Sequence, residues 1–300
     1  MPASLLRRLA PAIALLSTLA ACAAPSAPVQ AQSPGLATAE VRGVSGTVKR
    51  HPGVASRHLK QARDVFVYLP PGYEAAGPTR YPVLYMHDGN NLFDGGAAFG
   101  GHEWQVDESL ERMIRSGELP PMIVVGVGNT ADRTREYTWV PGLLGGEKIG
   151  GEGPRYGRFL TEELKPLVDR TYRTKTDRAN TGVMGSSLGG LISLYLGQHH
   201  GQVFGKLGVM SPSVWWSDRA VLEESEGLRR DLTIWLDMGH REGKEPQTAI
   251  ANARALKDRL VQRGYTLGRD LSYHEDREGG HDERAWAYRF PMAVKFLFGR

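Results

Sequence analysis

Gly185-Ser186-Ser187-Leu188-Gly189 has the spacing G-x-S-x-G and follows Thr181-Gly182-Val183-Met184, a short run of strand composition. A serine hydroxyl is a weak nucleophile at neutral pH. This spacing presents one on a sharp strand-to-helix turn where flanking side chains would collide. Ser187 is therefore the candidate nucleophile, and Gly185 and Gly189 clear the space around it. The backbone N–H of Leu188 would face the point where an oxyanion forms.

Such a serine needs a base within hydrogen-bond reach, itself oriented by a carboxylate; on an α/β sheet the chain order is serine, acid, histidine. Five histidines follow Ser187: His199, His200, His240, His274 and His281. His281 lies in Glu278-Gly279-Gly280-His281-Asp282-Glu283, between the last predicted strand and the last predicted helix, and is the candidate base. His199 and His200 end the helix that leaves the turn, and His274 is inside a strand. For the acid, Thr233-Ile234-Trp235-Leu236-Asp237-Met238-Gly239 runs into His240-Arg241-Glu242-Gly243. Glu242 is the first choice, because a loop position past the strand end calls for a long side chain, and Asp237 is the alternative.

The second oxyanion donor belongs in the loop His87-Asp88-Gly89-Asn90-Asn91, through the N–H of Gly89 or Asn90. His87-Asp88 does not read as a metal pair. Neighbours on a strand face opposite ways, and no partner histidines have suitable spacing. S-x-x-K and G-x-x-x-x-G-K-[ST] are absent, and the glycine-rich stretch Gly145 to Gly153 reads as a mobile loop.

These positions require a sheet to carry them. Strand-like runs at Val65-Leu69, Val83-His87, Ile123-Val127, Thr181-Met184, Leu207-Met210, Thr233-Leu236 and Leu271-His274 alternate with helical periodicity at Val106-Ile114, Phe159-Val168, Leu188-Leu196 and Ala249-Leu260. A last helix starts near Asp282 and is expected to break or kink at Pro291. The alternation predicts a mostly parallel sheet flanked by helices, with an antiparallel edge strand from residues 45 to 55. About twenty residues separate the fifth and sixth runs, too few for a lid domain.

The chain has 300 residues, 41% hydrophobic and 23% charged, enough for one sizeable core. Residues 1–21 read as a signal peptide: Arg7-Arg8 precede the apolar run Leu9 to Leu19. Leu19-Ala20-Ala21-Cys22 resembles the bacterial lipoprotein box, which makes Cys22 a candidate lipidation site and the protein an exported periplasmic or outer-membrane lipoprotein. Cys22 is the sole cysteine, so no intrachain disulfide can form. Residues 22–43, rich in Ala, Pro, Ser and Gln, read as a flexible tether, and 44–300 as one domain. Lys and Arg total 37 against 33 Asp and Glu. With two of the basic residues in the leader, the balance predicts no nucleic-acid partner and membrane contact only through the anchor.

Taken together, several stretches resemble the esterase family that includes esterase D, ferric-enterobactin, feruloyl and acetylxylan esterases and the mycolyltransferases. They are Leu84-Tyr85-Met86-His87-Asp88-Gly89-Asn90-Asn91-Leu92-Phe93-Asp94, Arg133-Thr134-Arg135-Glu136-Tyr137, Gly185 to Gly190, Met210-Ser211-Pro212-Ser213-Val214-Trp215-Trp216 and Gly280-His281-Asp282-Glu283. The resemblance implies an α/β-hydrolase fold without a large lid, Ser187 as nucleophile, His281 as base, an acid at Glu242 and an oxyanion hole from Asn90 and Leu188. It implies no cofactor and no metal. Arg135, Tyr137, Trp215 and Trp216 become candidate substrate contacts. The substrate would be a small-molecule or saccharide ester: a siderophore, hydroxycinnamoyl-sugar or acetyl-sugar ester. An acyltransferase of the mycolyltransferase type and a catalytically silent envelope binding protein stand as alternatives.

Overall fold

The computed structural model describes residues 37–96 and 98–299. The leader, Cys22 and most of the tether lie outside the described residues.

Eleven strands are described: β1 (Ala39–Glu40), β2 (Thr47–Val54), β3 (Arg63–Leu69), β4 (Val83–His87), β5 (Ile123–Val127), β6 (Pro141–Leu144), β7 (Glu147–Gly150), β8 (Thr181–Ser186), β9 (Lys206–Met210), β10 (Thr233–Gly239) and β11 (Leu271–Asp276). The helices are α1 (Val106–Arg115), α2 (Arg133–Glu136), α3 (Gly153–Arg158), α4 (Lys165–Thr171), α5 (Leu188–His199), α6 (Trp216–Glu224), α7 (Pro246–Gln262) and α8 (Glu283–Phe298). A π-helical segment, Phe159–Leu164, joins α3 to α4. Nine strands form one sheet in the order β1-β2-β3-β5-β4-β8-β9-β10-β11. The run from β5 to β11 is parallel, whereas β1, β2 and β3 pair antiparallel at one edge.

The central strands are apolar throughout because both faces are covered. On β4, Val83 and Tyr85 join a core with Tyr156, Phe159, Leu191 and Leu256, while Leu84 and Met86 join the opposite core with Leu110, Trp286 and Phe290. Period-two alternation thus divides each strand between two helical layers. Parallel strands also end together, so the loops after β4, β8, β10 and β11 gather at one edge.

Three expectations from the sequence need correction. The sheet begins inside the stretch read as tether, since Ala39 and Glu40 pair with Arg50 and Lys49. Gly145 to Gly153 is not a mobile loop: β6 and β7 form a hairpin, with Gly145 and Gly146 taking the positive φ of its turn. Finally, α8 is not interrupted at Pro291, which lies inside it. The connection from β9 to β10 holds only α6 and the turn Ser225–Gly227, which leaves no room for a lid domain.

Candidate active site

Ser187 caps α5 at φ 60° and ψ −122°, a conformation that strains any residue with a Cβ. Neighbouring backbone imposes it: the Ser187 N–H donates to the Met210 carbonyl at 3.0 Å, and the Ser187 carbonyl accepts from the Ser213 N–H at 3.1 Å. A Cβ on Gly185 would stand 2.8 Å from the His87 ring, so only glycine fits there. The other tight position is Gly190, 2.8 Å from the Met210 carbonyl; the corresponding contact at Gly189 is an ordinary one.

The Ser187 hydroxyl lies 2.9 Å from His281 Nε2, and His281 Nδ1 lies 2.7 Å from Glu242 Oε2. A carboxylate oxygen only accepts, so the imidazole proton belongs on Nδ1 and Nε2 is free to accept from Ser187. His281 is brought there by the loop after β11, just before Asp282, whose side chain caps α8 through the Ala285 N–H at 3.0 Å. The Trp286 ring meets the imidazole edge-on, with centroids 5.1 Å apart. The loops that carry Glu242 and His281 are laced together by His240 N–H to the Asp276 carbonyl and Arg241 N–H to the Gly279 carbonyl. A Cβ on Gly239 would lie 2.3 Å from that Gly279 carbonyl, so glycine ends β10.

Behind Glu242 lies a buried polar cluster that the sequence did not reveal. Glu242 Oε1 accepts the Ser211 hydroxyl at 2.5 Å and the Gly239 N–H at 2.6 Å. Ser211 Oγ in turn accepts from Trp286 Nε1 and from Arg289 Nη2, both at 3.0 Å. Those two groups can only donate, so the single Ser211 proton must point at Glu242. Arg289, fully buried, pairs with Asp237 at 2.5 Å. Asp237 also accepts from Trp235 Nε1 and the Ser211 N–H, and it is Glu242, not Asp237, that bonds His281. Burial raises the Asp237 carboxyl above its usual range, and Arg289 opposes that shift. The available signal was an arginine and a tryptophan in the buried stripe of α8.

The loop after β4 is anchored from below. Asp88 takes a left-handed conformation, φ 56° and ψ 46°, and its carboxylate grips Arg133 through two bonds of 2.7 and 2.8 Å. Burial works against the Asp88 charge, yet Arg133 and Asn129 hold the carboxyl below its ordinary range. The Asn129 N–H donates to Asn90 Oδ1 at 3.1 Å, fixing Asn90, and Asn91 donates to Glu283 at 3.2 Å. Leu188 opens α5, where the first N–H groups have no intrahelical acceptor.

A pocket of about 460 Å³ opens at Ser187 and His281, walled by Val214, Trp215, Met238 and Ala249. Trp215 is 52% exposed and faces it. Tyr137 and Trp216, proposed from the sequence as substrate contacts, are fully buried. The Tyr137 hydroxyl accepts the Asp88 N–H, and Trp216 Nε1 donates to the Val140 carbonyl beneath the hairpin, so both support the site from below. Arg135 is absent from the pocket wall, and its nearest acid is Asp132 at 3.9 Å. Among the described residues no cluster of His, Cys, Asp or Glu is arranged to hold a metal.

The sheet order and the site at the ends of its parallel strands define an α/β-hydrolase fold. Residues 56–297 match the model of the Putative esterase family, and the chain belongs to that family. It is a carboxylic ester hydrolase. Relatives include the uncharacterized protein YbbA of Bacillus subtilis, 26% identical over 83% of this chain and 97% of that protein, and the ferri-bacillibactin esterase BesA of the same organism, 27% identical over 69% and 75%. The iron(III) enterobactin esterase of Escherichia coli K12 is 32% identical over 77% of this chain and 52% of its own length. Among solved structures, the BES protein of Bacillus cereus superposes with a TM-score of 0.67 at 20% identity, covering 84% of this chain and 96% of that one.

Proposed function

We propose that the chain is a serine esterase working through an acyl-enzyme. The observation that carries this reading is the unbroken hydrogen-bond line from Ser187 through His281 to Glu242. Ser187 Oγ attacks the ester carbonyl while His281 Nε2 takes its proton, and the N–H groups of Asn90 and Leu188 receive the oxyanion. The imidazolium returns the proton to the departing alkoxide. Water then repeats the sequence on the acyl-enzyme, releasing the acid and restoring Ser187. Glu242 holds the imidazole in the required tautomer throughout.

Relatives named ferri-bacillibactin, enterobactin and feruloyl esterases support a siderophore or hydroxycinnamoyl-sugar ester, a substrate with a hydroxylated aromatic ring, as the class. An apolar pocket of this size beside the nucleophile suits one such ring. The leader and Cys22 make this an exported, lipid-anchored enzyme, which Cys22→Ser would release from the membrane fraction. Fluorophosphonate labelling followed by peptide mapping tests the catalytic reading. The label should sit on Ser187, and Ser187→Ala should lose several orders of magnitude in rate on a small aryl ester. Full activity in that variant would end the proposal.

A further inference from the structure

The buried stripe of α7 contains one residue out of keeping with its place. Ile250, Ala253, Leu256 and Leu260 face the sheet at helical spacing, and Asn252 shares that face at 9% exposure. Its side-chain amide makes no hydrogen bond to another described residue, and the amide is not among the fully buried groups, so it stays open to whatever lies beside it. Asn252 also lines the pocket that opens at Ser187 and His281. The unmet donor and acceptor are therefore presented to whatever fills that pocket.

The surroundings restrict what that is. Val214, Trp215, Met238 and Ala249 supply apolar wall, which suits a flat hydrocarbon body. Lys244 and Glu245 are neighbours on the same lining and offset one another, and Glu242 is already engaged by His281, so net charge gives little discrimination. What remains is the amide, which both donates and accepts and so matches a hydroxyl. We infer that Asn252 is a specificity-determining residue: it reads a hydroxyl on the aromatic group of the ester seated in this pocket. The inference rests on the serine-esterase reading above and adds the side chain that selects the substrate. A site built to bond a hydroxyl discriminates strongly against the analogue that lacks it, because its own polar group is left unmet.

The test compares matched esters differing by one hydroxyl, on each side of the ester bond. These are methyl 4-hydroxycinnamate against methyl cinnamate, and 4-hydroxyphenyl acetate against phenyl acetate. The purified protein should prefer the hydroxylated member of one pair by at least tenfold in kcat/KM. Asn252→Leu keeps the shape and removes the amide; it should bring that ratio within twofold of unity while retaining turnover of the unsubstituted ester. Asn252→Asp provides a second variant, still able to accept from a phenol, and should keep a preference for the hydroxylated ester. A wild-type ratio within twofold in both pairs, or a preference that survives in Asn252→Leu, would overturn the inference. Absence of turnover on all four esters together with no fluorophosphonate label at Ser187 would instead refute the esterase mechanism.

Discussion

Glu242→Gln puts the assignment of the acid under the most direct strain, because the structure dictates how the new amide must sit. Glu242 Oε1 receives the Ser211 hydroxyl and the Gly239 N–H, and the Ser211 proton cannot turn elsewhere while Trp286 and Arg289 donate to its oxygen. In the variant the glutamine carbonyl must take that side, which turns its NH₂ toward His281 Nδ1. The imidazole then carries its proton on Nε2, facing Ser187, and can no longer accept one. In serine enzymes a wrong tautomer of this kind costs about 10⁴ in kcat, equivalent to about 5.5 kcal/mol of barrier. The assay is turnover of 4-nitrophenyl acetate, with circular dichroism to show that the fold persists. Activity within tenfold of wild type would refute the reasoning, as would a greater loss of kcat in folded Asp237→Asn.

Asp237→Asn should act on stability instead. Removing the closest partner of a fully buried pair leaves Arg289 only its longer approaches to Glu242 at 3.5 Å and Asp276 at 3.8 Å, and urea denaturation should show a loss of about 3 kcal/mol. Ser187→Gly and Ser187→Ala should both be inactive, but calorimetry should find the glycine variant more stable by about 1 kcal/mol, since glycine adopts φ 60° and ψ −122° without strain. Burial pushes the Asp107 carboxyl up to about 7, and its Oδ1 has no partner. The folded state therefore binds this proton more tightly than the unfolded one; the resulting stability is fully present below about pH 4 and is lost as pH rises through about 7. Thermal melts at pH 5 and pH 8 should differ less in Asp107→Asn than in wild type.

Local chemistry made much of this molecule legible. Alternating apolar runs marked the strands because parallel strands are covered on both faces, and G-x-S-x-G marked the turn because close packing against His87 excludes a side chain at Gly185. Glu242 was favoured over Asp237 from its reach and from the family resemblance, and the structure puts Glu242 beside His281. Tyr137 and Trp216 looked like contacts because an aromatic residue near a motif carries no sign of which way it faces. The hairpin of β6 and β7 escaped because glycines at its turn resemble those of a loop. Ser211 and Arg289 were missed for one reason: each is a polar residue inside an apolar pattern, and its partners come from distant parts of the chain.

One helix ties the working parts together. The Asp282 cap of α8 fixes the backbone next to His281, Glu283 holds Asn91 beside the oxyanion loop, and Trp286 and Arg289 aim Ser211 at Glu242. If α8 lifts from the sheet on warming, His281, Glu242 and the Asn90 loop lose their supports in the same event. On the proposed mechanism, residual activity after heating should therefore fall in step with the loss of α8 from the sheet.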